Sequence, residues 1–140
     1  MFYINKRTTP TDGNNEKAVK EQQKRQTEDR LTDELAYILN HAAGKRLRWK
    51  DSITDLMEIV YTAYMSGSIY DDSGKPCSFK ELVHSTCRAL HVTEPSNPRS
   101  YIYRAQNRKG IRQEPFINRY SRMLDKTDIV YPLRHRLDMV

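Results

Sequence analysis

Apolar residues recur every three or four positions over several stretches of the chain, a spacing that predicts amphipathic helices. The first stretch follows Thr27, a good capping residue, and ends at Gly44. Its apolar positions share one face: Leu31, Leu35, Ile38 and Leu39. Residues 1–26 show no such period, so we expect a flexible N-terminal segment. In it, residues 1–15 are disordered and residues 16–26 at most extend the helix into solvent.

Two further helices carry clear start signals. Ser52 caps the second helix, and Gly67 ends it. Ser78 and Glu81 form a Ser-x-x-Glu capping box for the third, which runs to about His91. The predicted buried positions are Ile53, Leu56, Met57, Val60, Ala63 and Tyr64 on the second helix and Phe79, Leu82, Val83, Thr86 and Leu90 on the third.

The segment between those helices holds the turn signal Asp72-Ser73-Gly74, which predicts a short hairpin or an irregular loop. Asp71 and Asp72 are potential metal ligands, but an Asx-type turn explains them without an ion. Three residues of zinc-binding type share a face of the third helix: His84, Cys87 and His91. Since a fourth ligand is lacking beside them, packing explains them better than zinc. We expect no metal and no cofactor.

A fourth helix is predicted from Pro98 to Lys109, with Asn97 as its cap and Gly110 after its end. Its inner positions are Tyr101, Ile102 and Ala105. A fifth helix, over residues 114–125, turns Phe116, Ile117, Tyr120 and Leu124 inward. These five helices predict an all-α domain of residues 27–140, with room for one short β-hairpin. The third and fourth helices follow each other as in a helix-turn-helix.

Charge is unevenly distributed along the chain. Residues 88–140 hold 11 Lys and Arg residues against 5 Asp and Glu residues, whereas residues 1–87 hold 13 of each. The net charge of +6 therefore belongs to the C-terminal third. A basic surface on an otherwise neutral body favours a polyanion as partner, and nucleic acid is the commonest one. A solvated basic face without a ligand is the simpler alternative.

The outer face of the fourth helix has the chemistry of a DNA-reading surface. Arg pairs with guanine and Asn or Gln with adenine in the major groove, whereas Ser and Tyr hydroxyls bind phosphates. No acidic residue occurs from Arg99 to Arg112. Arg104, Gln106 and Asn107 are predicted to read bases. The whole predicted double-stranded DNA site is Arg99, Ser100, Tyr103, Arg104, Gln106, Asn107, Arg108, Lys109, Arg112, Arg119 and Arg122, the last five on phosphates.

Several segments together resemble a known family. They are Trp49-Lys-Asp-Ser-Ile-Thr-Asp-Leu-Met-Glu-Ile-Val-Tyr61, Ser66-Gly-Ser-Ile69, Phe79-Lys-Glu-Leu82, Tyr101, and the basic run Arg104 to Arg112 followed by Phe116-Ile117. Over residues 45–126 the chain is similar to the C-terminal domain of the RteC family, regulators encoded on conjugative transposons. The resemblance implies a winged-helix-like DNA-binding domain that controls transcription of excision or transfer genes of a mobile element.

Other classes of function fit the sequence less well. A tyrosine recombinase needs a catalytic domain much larger than 140 residues, and no catalytic triad or phosphate-binding loop is visible, so we expect no enzyme activity. The chain lacks a long apolar run and a secretory signal, which predicts a soluble, cytoplasmic protein without membrane contact. The alternative function is a helical module that docks on a recombinase or a regulator. A homodimer stays open, because no heptad pattern specifies one.

Overall fold

The protein is described here by a computed structural model, which covers residues 1–5, 16–106, 115–125 and 129–139. These residues form five α-helices, four short strands and one 3-10 turn. In chain order they are β1 (Tyr3–Ile4), α1 (Glu16–His41), β2 (Leu47–Trp49), α2 (Ile53–Ser66), β3 (Ile69–Tyr70), α3 (Phe79–Ala89), α4 (Pro98–Gln106), α5 (Phe116–Asp125), the 3-10 turn (Arg134–Arg136) and β4 (Leu137–Met139). The fold is mostly helical with a small β part, as the sequence predicts.

Helix α2 lies at the centre of the core. Met57 and Val60 on its buried stripe are fully enclosed, and α1, α3, α4 and α5 all pack against it. The predicted stripes of the other helices are also buried or half-buried, including Leu31 and Leu35 on α1. Periodic apolar spacing identifies these faces because each helix has one stripe to remove from water.

The predicted caps of α2 and α3 are confirmed. The Ser52 hydroxyl accepts a hydrogen bond from the backbone N–H of Asp55 at 3.1 Å, and the Ser78 hydroxyl accepts one from that of Glu81 at 3.1 Å. Gly67 ends α2 in the left-handed conformation, with φ of 63°. Serine caps and a terminal glycine are strong signals because each satisfies a backbone group or a dihedral angle locally.

Helix α1 includes the extension over residues 16–26 that the sequence allows, but the predicted cap at Thr27 is wrong. It starts at Glu16, and Thr27 lies inside it, where the hydroxyl donates to the carbonyl oxygen of Gln23 at 3.0 Å. Thr27 is therefore not an N-cap. The preceding residues are mainly Lys, Glu, Gln and Arg, which have high helix propensity and continue the helix outward from the core.

The prediction that residues 1–15 lack structure is wrong at the N-terminus, where β1 pairs antiparallel with β3. The backbone of Phe2 is held by two hydrogen bonds to the Asn40 side chain, at 2.8 and 2.9 Å. The N-terminal ammonium lies 3.2 Å from the carboxylate of Asp72. A two-residue strand is too short to show an alternating pattern, which is why the sequence does not reveal it.

A second antiparallel ladder joins β2 to β4 near the C-terminus, with Arg48 opposite Asp138 and Trp49 opposite Leu137. The indole N–H of Trp49 donates to the carbonyl oxygen of Ser52 at 2.9 Å, and the ring is buried. Trp49 thus packs at the start of α2. Three residues on each strand carry too little pattern for the sequence to predict this ladder.

The segment between α2 and α3 folds back on itself. Cys77 N–H donates to the Ile69 carbonyl at 2.9 Å, while the Asp71 carboxylate accepts the backbone N–H groups of Ser73 and Lys75 at 2.9 and 3.0 Å. The predicted Asx-type turn is therefore present, and Asp71 has a structural role in it.

Candidate nucleic-acid interface

Helix α4 presents the surface that carries the site. Ile102 and Ala105 are buried, and the helix packs mainly on α2 rather than on the preceding α3. This contact turns Arg99, Tyr103 and Arg104 outward, and Tyr103 is 69% exposed. We call these three exposed side chains the α4 face. Its orientation is fixed by the buried stripe, because side chains three and four positions apart share one side of a helix.

The guanidinium of Arg104 is positioned by its own helix. Its Cζ lies 4.6 Å from the centroid of the Tyr101 ring, and its Nε donates to the Ser100 carbonyl at 3.3 Å. Within the described part of the chain, the structure gives its terminal Nη groups no acceptor. A cation stacked on an aromatic ring keeps its planar donors directed and available for a bidentate contact.

Arg99 and Ser100, both in the first turn of α4, have different surroundings. Arg99 lies with its Cζ 5.2 Å from the Phe79 ring centroid, so the start of α4 contacts the start of α3. Ser100 is only half-exposed, and its hydroxyl donates to the Asn97 carbonyl at 2.8 Å. The Ser100 hydroxyl thus closes the first turn, which leaves it less suited than Arg99 to bind a phosphate.

On α5, the two predicted phosphate ligands have different surroundings. Arg122 is exposed. Arg119 turns inward, where it forms a two-pronged ion pair with Asp55 of α2, and Nη1 donates to Oδ2 at 3.1 Å. This hydrogen bond is the main cause that raises the pKa of Arg119. The structure therefore gives Arg119 an intramolecular anion in the position where a phosphate was expected.

The other predicted DNA ligands are not located by the structure. Gln106 is the last residue of α4, and its side chain lies outside the described residues. The same holds for Asn107, Arg108, Lys109 and Arg112. The α4 face and Arg122 are thus the part of the predicted site that the structure describes as exposed.

Sequence reasoning missed a group of exposed basic residues around β2. Arg46, Arg48 and Lys50 are exposed. Between them, Leu47 is half-buried and Trp49 is buried. The signal is present as alternation of basic and apolar residues, a period of two that indicates a strand with one solvated face. The distribution of charge does not indicate this strand, because the net positive charge of the chain lies in residues 88–140.

The prediction that the three residues of zinc-binding type share a helix face is wrong, because His84 and Cys87 lie on α3 whereas His91 follows its end with φ of 56°. The His84 ring pairs with Glu94 at 2.8 Å, and His91 Nδ1 lies 2.6 Å from the Leu47 carbonyl oxygen. Cys87 is buried, and this burial raises the pKa of its thiol to about 11. In the ranges that the structure covers, no three His, Cys, Asp or Glu side chains are grouped to hold a metal ion.

A cleft of about 650 Å³ lies between α1, α5 and the C-terminal segment. The buried carboxylate of Glu34 accepts from the Tyr120 hydroxyl at 2.9 Å and from the backbone N–H groups of Leu133 and Arg134. Burial raises the pKa of Glu34, although these hydrogen bonds oppose the shift. The Arg134 guanidinium lies between the rings of Tyr37 and Tyr131, 4.1 and 3.9 Å from their centroids. The Glu34 carboxylate thus joins α1 to α5 through Tyr120 and to the C-terminal segment through Leu133 and Arg134, so it has a structural role.

Comparison with known proteins gives no relative from which a function could be transferred. No family model, curated protein or solved structure matches the chain. The described helices also include none that combines the length and the apolar content of a membrane-spanning segment. The functional proposal therefore rests on the geometry and charge of the site together with the sequence pattern.

Proposed function

We propose that the protein binds double-stranded DNA through the α4 face and acts as a sequence-specific regulator of a mobile element. The observation that carries this proposal is the arrangement of α4 itself. Its buried side is anchored on α2 by Ile102 and Ala105, while its exposed side offers Arg99, Tyr103 and Arg104. A rigidly mounted helix with a basic, donor-rich outer face is the form in which major-groove readers present side chains to bases.

The dimensions of α4 fit a major groove. Its nine residues span about 13 Å at 1.5 Å per residue, and a helix is about 10–12 Å across. The groove is about 12 Å wide and admits such a helix. In the proposed complex the Arg104 guanidinium reads a guanine in bidentate fashion, while Arg99 and the Tyr103 hydroxyl contact phosphates.

Polar contacts between α2 and α5 support the interface, because they hold α5 on the helix against which α4 also packs. The Glu58 carboxylate of α2 accepts the Phe116 backbone N–H at 2.7 Å, and Asp55 of α2 binds Arg119. Both contacts hold α5 on the same helix that carries α4. Arg122 of α5 is thereby kept at a defined place, from which it adds a phosphate contact. Preorganised donors lose less entropy on binding than mobile ones.

The regulatory role is part of the proposal and follows from the RteC-like sequence pattern. A cytoplasmic DNA-binding protein of a conjugative element would control transcription of excision or transfer genes. One α4 helix covers few base pairs, so binding to two half-sites as a dimer would raise specificity.

The test is fluorescence anisotropy of the full chain with labelled duplexes, one from its own promoter and one of random sequence, over a salt series. We expect log K to fall linearly with log salt, since each phosphate contact releases a counterion. Arg104→Ala should lower the preference for the promoter by roughly 1–3 kcal/mol, the value of one base contact. Lys20→Ala, an equal change of charge at an exposed position of α1, is the matched control and should keep that preference. A folded protein that binds neither duplex at low salt would overturn the proposal.

A second candidate function is docking on a protein partner through the same part of the molecule. An apolar groove of about 140 Å³, lined in part by Ile102, Ala105, Phe116 and Ile117, lies between α4 and α5. Tyr and Arg are enriched at the centres of protein interfaces as well as on DNA. Binding centred on apolar contacts depends weakly on salt, so the slope of the same salt series separates the two functions.

A further inference from the structure

The exposed basic side chains around β2 form a second surface, separate in sequence from the α4 face. Arg48 lies on β2, with Arg46 just before the strand and Lys50 just after it. All three are exposed, whereas Trp49 is buried and Leu47 packs against the core. We call Arg46, Arg48 and Lys50 the basic strand face. The alternation places the apolar residues on the protein and the basic ones in water.

The ladder with β4 gives this surface a fixed backbone. Arg48 lies opposite Asp138, and the ladder is continued by a hydrogen bond from the Lys50 N–H to the Arg136 carbonyl at 2.9 Å. The side chain of Arg136 is occupied separately, by Asp51 at 2.6 Å. Backbone pairing thus fixes the chain at Arg48 and Lys50, and Arg46 lies one residue before the ladder.

The surface keeps an excess of positive charge. Lys50 pairs with Asp138 at 3.4 Å, and both side chains of this pair are largely solvated. In the residues that the structure describes, Arg46 and Arg48 receive no acidic partner. Among the described residues, the carboxylate of Asp138 is thus paired with Lys50, and the two arginines have their planar donors available for an external anion. Arginine is the side chain best matched to phosphate, because its donors form a fork.

Helix α3 links the basic strand face to the α4 face. The Leu90 carbonyl, just after the end of α3, accepts the Trp49 N–H at 3.4 Å, and Phe79 at its start contacts Arg99. Eleven residues at 1.5 Å each make α3 about 16 Å long. The two basic surfaces thus contact opposite ends of one helix.

We propose that the basic strand face binds the phosphate backbone of the duplex whose major groove receives α4. This inference rests on the proposed function, which supplies the DNA. Arg48 lies on β2 and Arg46 one residue before it, so the two side chains start two positions apart in sequence. Phosphates of one DNA strand follow each other every ~3.4 Å along the axis, so two long guanidinium side chains can engage different phosphates. The contact adds affinity without sequence preference, since phosphates carry no base information.

The test compares two charge-matched double variants of the full chain in the anisotropy assay. Arg46→Ala, Arg48→Ala should weaken binding about 10- to 60-fold at 0.1 M salt and lower the salt slope by about 2, because each phosphate contact carries an exponent of about 0.9. The loss should be the same for promoter and random duplexes. Lys20→Ala, Lys24→Ala on α1 removes the same charge from exposed positions and should change affinity less than threefold.

The inference is overturned if the strand variant binds no more weakly than the control while wild type binds DNA and Arg104→Ala loses promoter preference. That result would leave the proposed function intact. Absence of DNA binding by folded wild type overturns both. A thermal unfolding midpoint equal to that of wild type excludes loss of structure, and Arg46→Gln, Arg48→Gln, which keeps polar side chains on the ladder, repeats the comparison if the alanine variant unfolds early.

Discussion

Removing the Arg119 side chain tests whether this residue stabilises the fold or binds DNA. In the structure, the guanidinium of Arg119 forms a two-pronged ion pair with Asp55, a residue that is only 6% exposed. The Cζ of Arg119 also lies 5.2 Å from the centroid of the Phe116 ring. The variant Arg119→Ala leaves the Asp55 carboxylate buried on α2 without its cation. We expect it to be destabilised by about 3 kcal/mol, the lower end of the range for breaking a buried pair, because Arg119 is still 29% exposed.

The variant Asp55→Ala, which removes the other partner of the ion pair, should lose less unfolding free energy than Arg119→Ala. In Asp55→Ala the Arg119 side chain can turn toward solvent, whereas the Asp55 carboxylate in Arg119→Ala is held inside by its position on α2. The double variant should be less destabilised than the sum of the two, with a coupling energy of about 2 kcal/mol. For a chain of this size, a loss of 3 kcal/mol corresponds to a fall of roughly 10 °C in Tm.

Urea unfolding of the four proteins measures these free energies, and the salt series on DNA measures the competing role. Arg119→Ala should leave the salt slope of binding unchanged, while Arg122→Ala on the same helix should lower it by about 1. The reasoning is refuted if Arg119→Ala unfolds as wild type does and lowers the salt slope instead.

Three further changes have expected outcomes set by local structure. Burial raises the pKa of Glu34 in the folded state above its ordinary value of 4.5, so the folded state binds the carboxyl proton more tightly than the unfolded state does. The stability gained from this protonation is lost as pH rises from the unfolded-state pKa through the folded-state pKa. Wild type should therefore lose stability relative to Glu34→Gln as pH rises above 4.5, and a difference in unfolding free energy that is constant with pH would contradict this. Gly67→Ala should destabilise by about 1–2 kcal/mol in urea unfolding, because φ is 63° there and an added Cβ meets no atom within 4 Å, so backbone strain is the whole effect. Ser78→Ala removes the cap of α3 and should cost about 1 kcal/mol; thermal unfolding unchanged from wild type would show that the cap is dispensable.

The elements that could be predicted from the sequence are those whose signals are local. A capping serine, a terminal glycine and a one-sided apolar stripe identify α2 and α3, since each acts within one helix turn. The same holds for the burial of Ile102 and the exposure of Tyr103 on α4, which follow from helical periodicity alone. The outward direction of the α4 face was therefore predictable from sequence.

Features that depend on residues distant in the chain were not predictable in the same way. Pairing of β1 with β3 and of β2 with β4 joins the two ends of the chain to its interior through strands of two or three residues. Arg119 is similar, because nothing near it in sequence reveals Asp55, 64 positions away, as its partner. A basic residue on a predicted outer flank can still turn inward when a buried carboxylate lies opposite it.

The most direct measurement of the central claim is amide chemical-shift mapping of the full, isotope-labelled chain during titration with its promoter duplex. If α4 enters the groove, the largest shifts should fall on residues 99–106, with smaller ones on residues 46–50 and near Arg122. Saturation of these shifts should follow one binding curve and should be lost at high salt. Chemical-shift changes that occur only on another surface, with none on the amides of α4, would contradict the claim that this helix reads DNA.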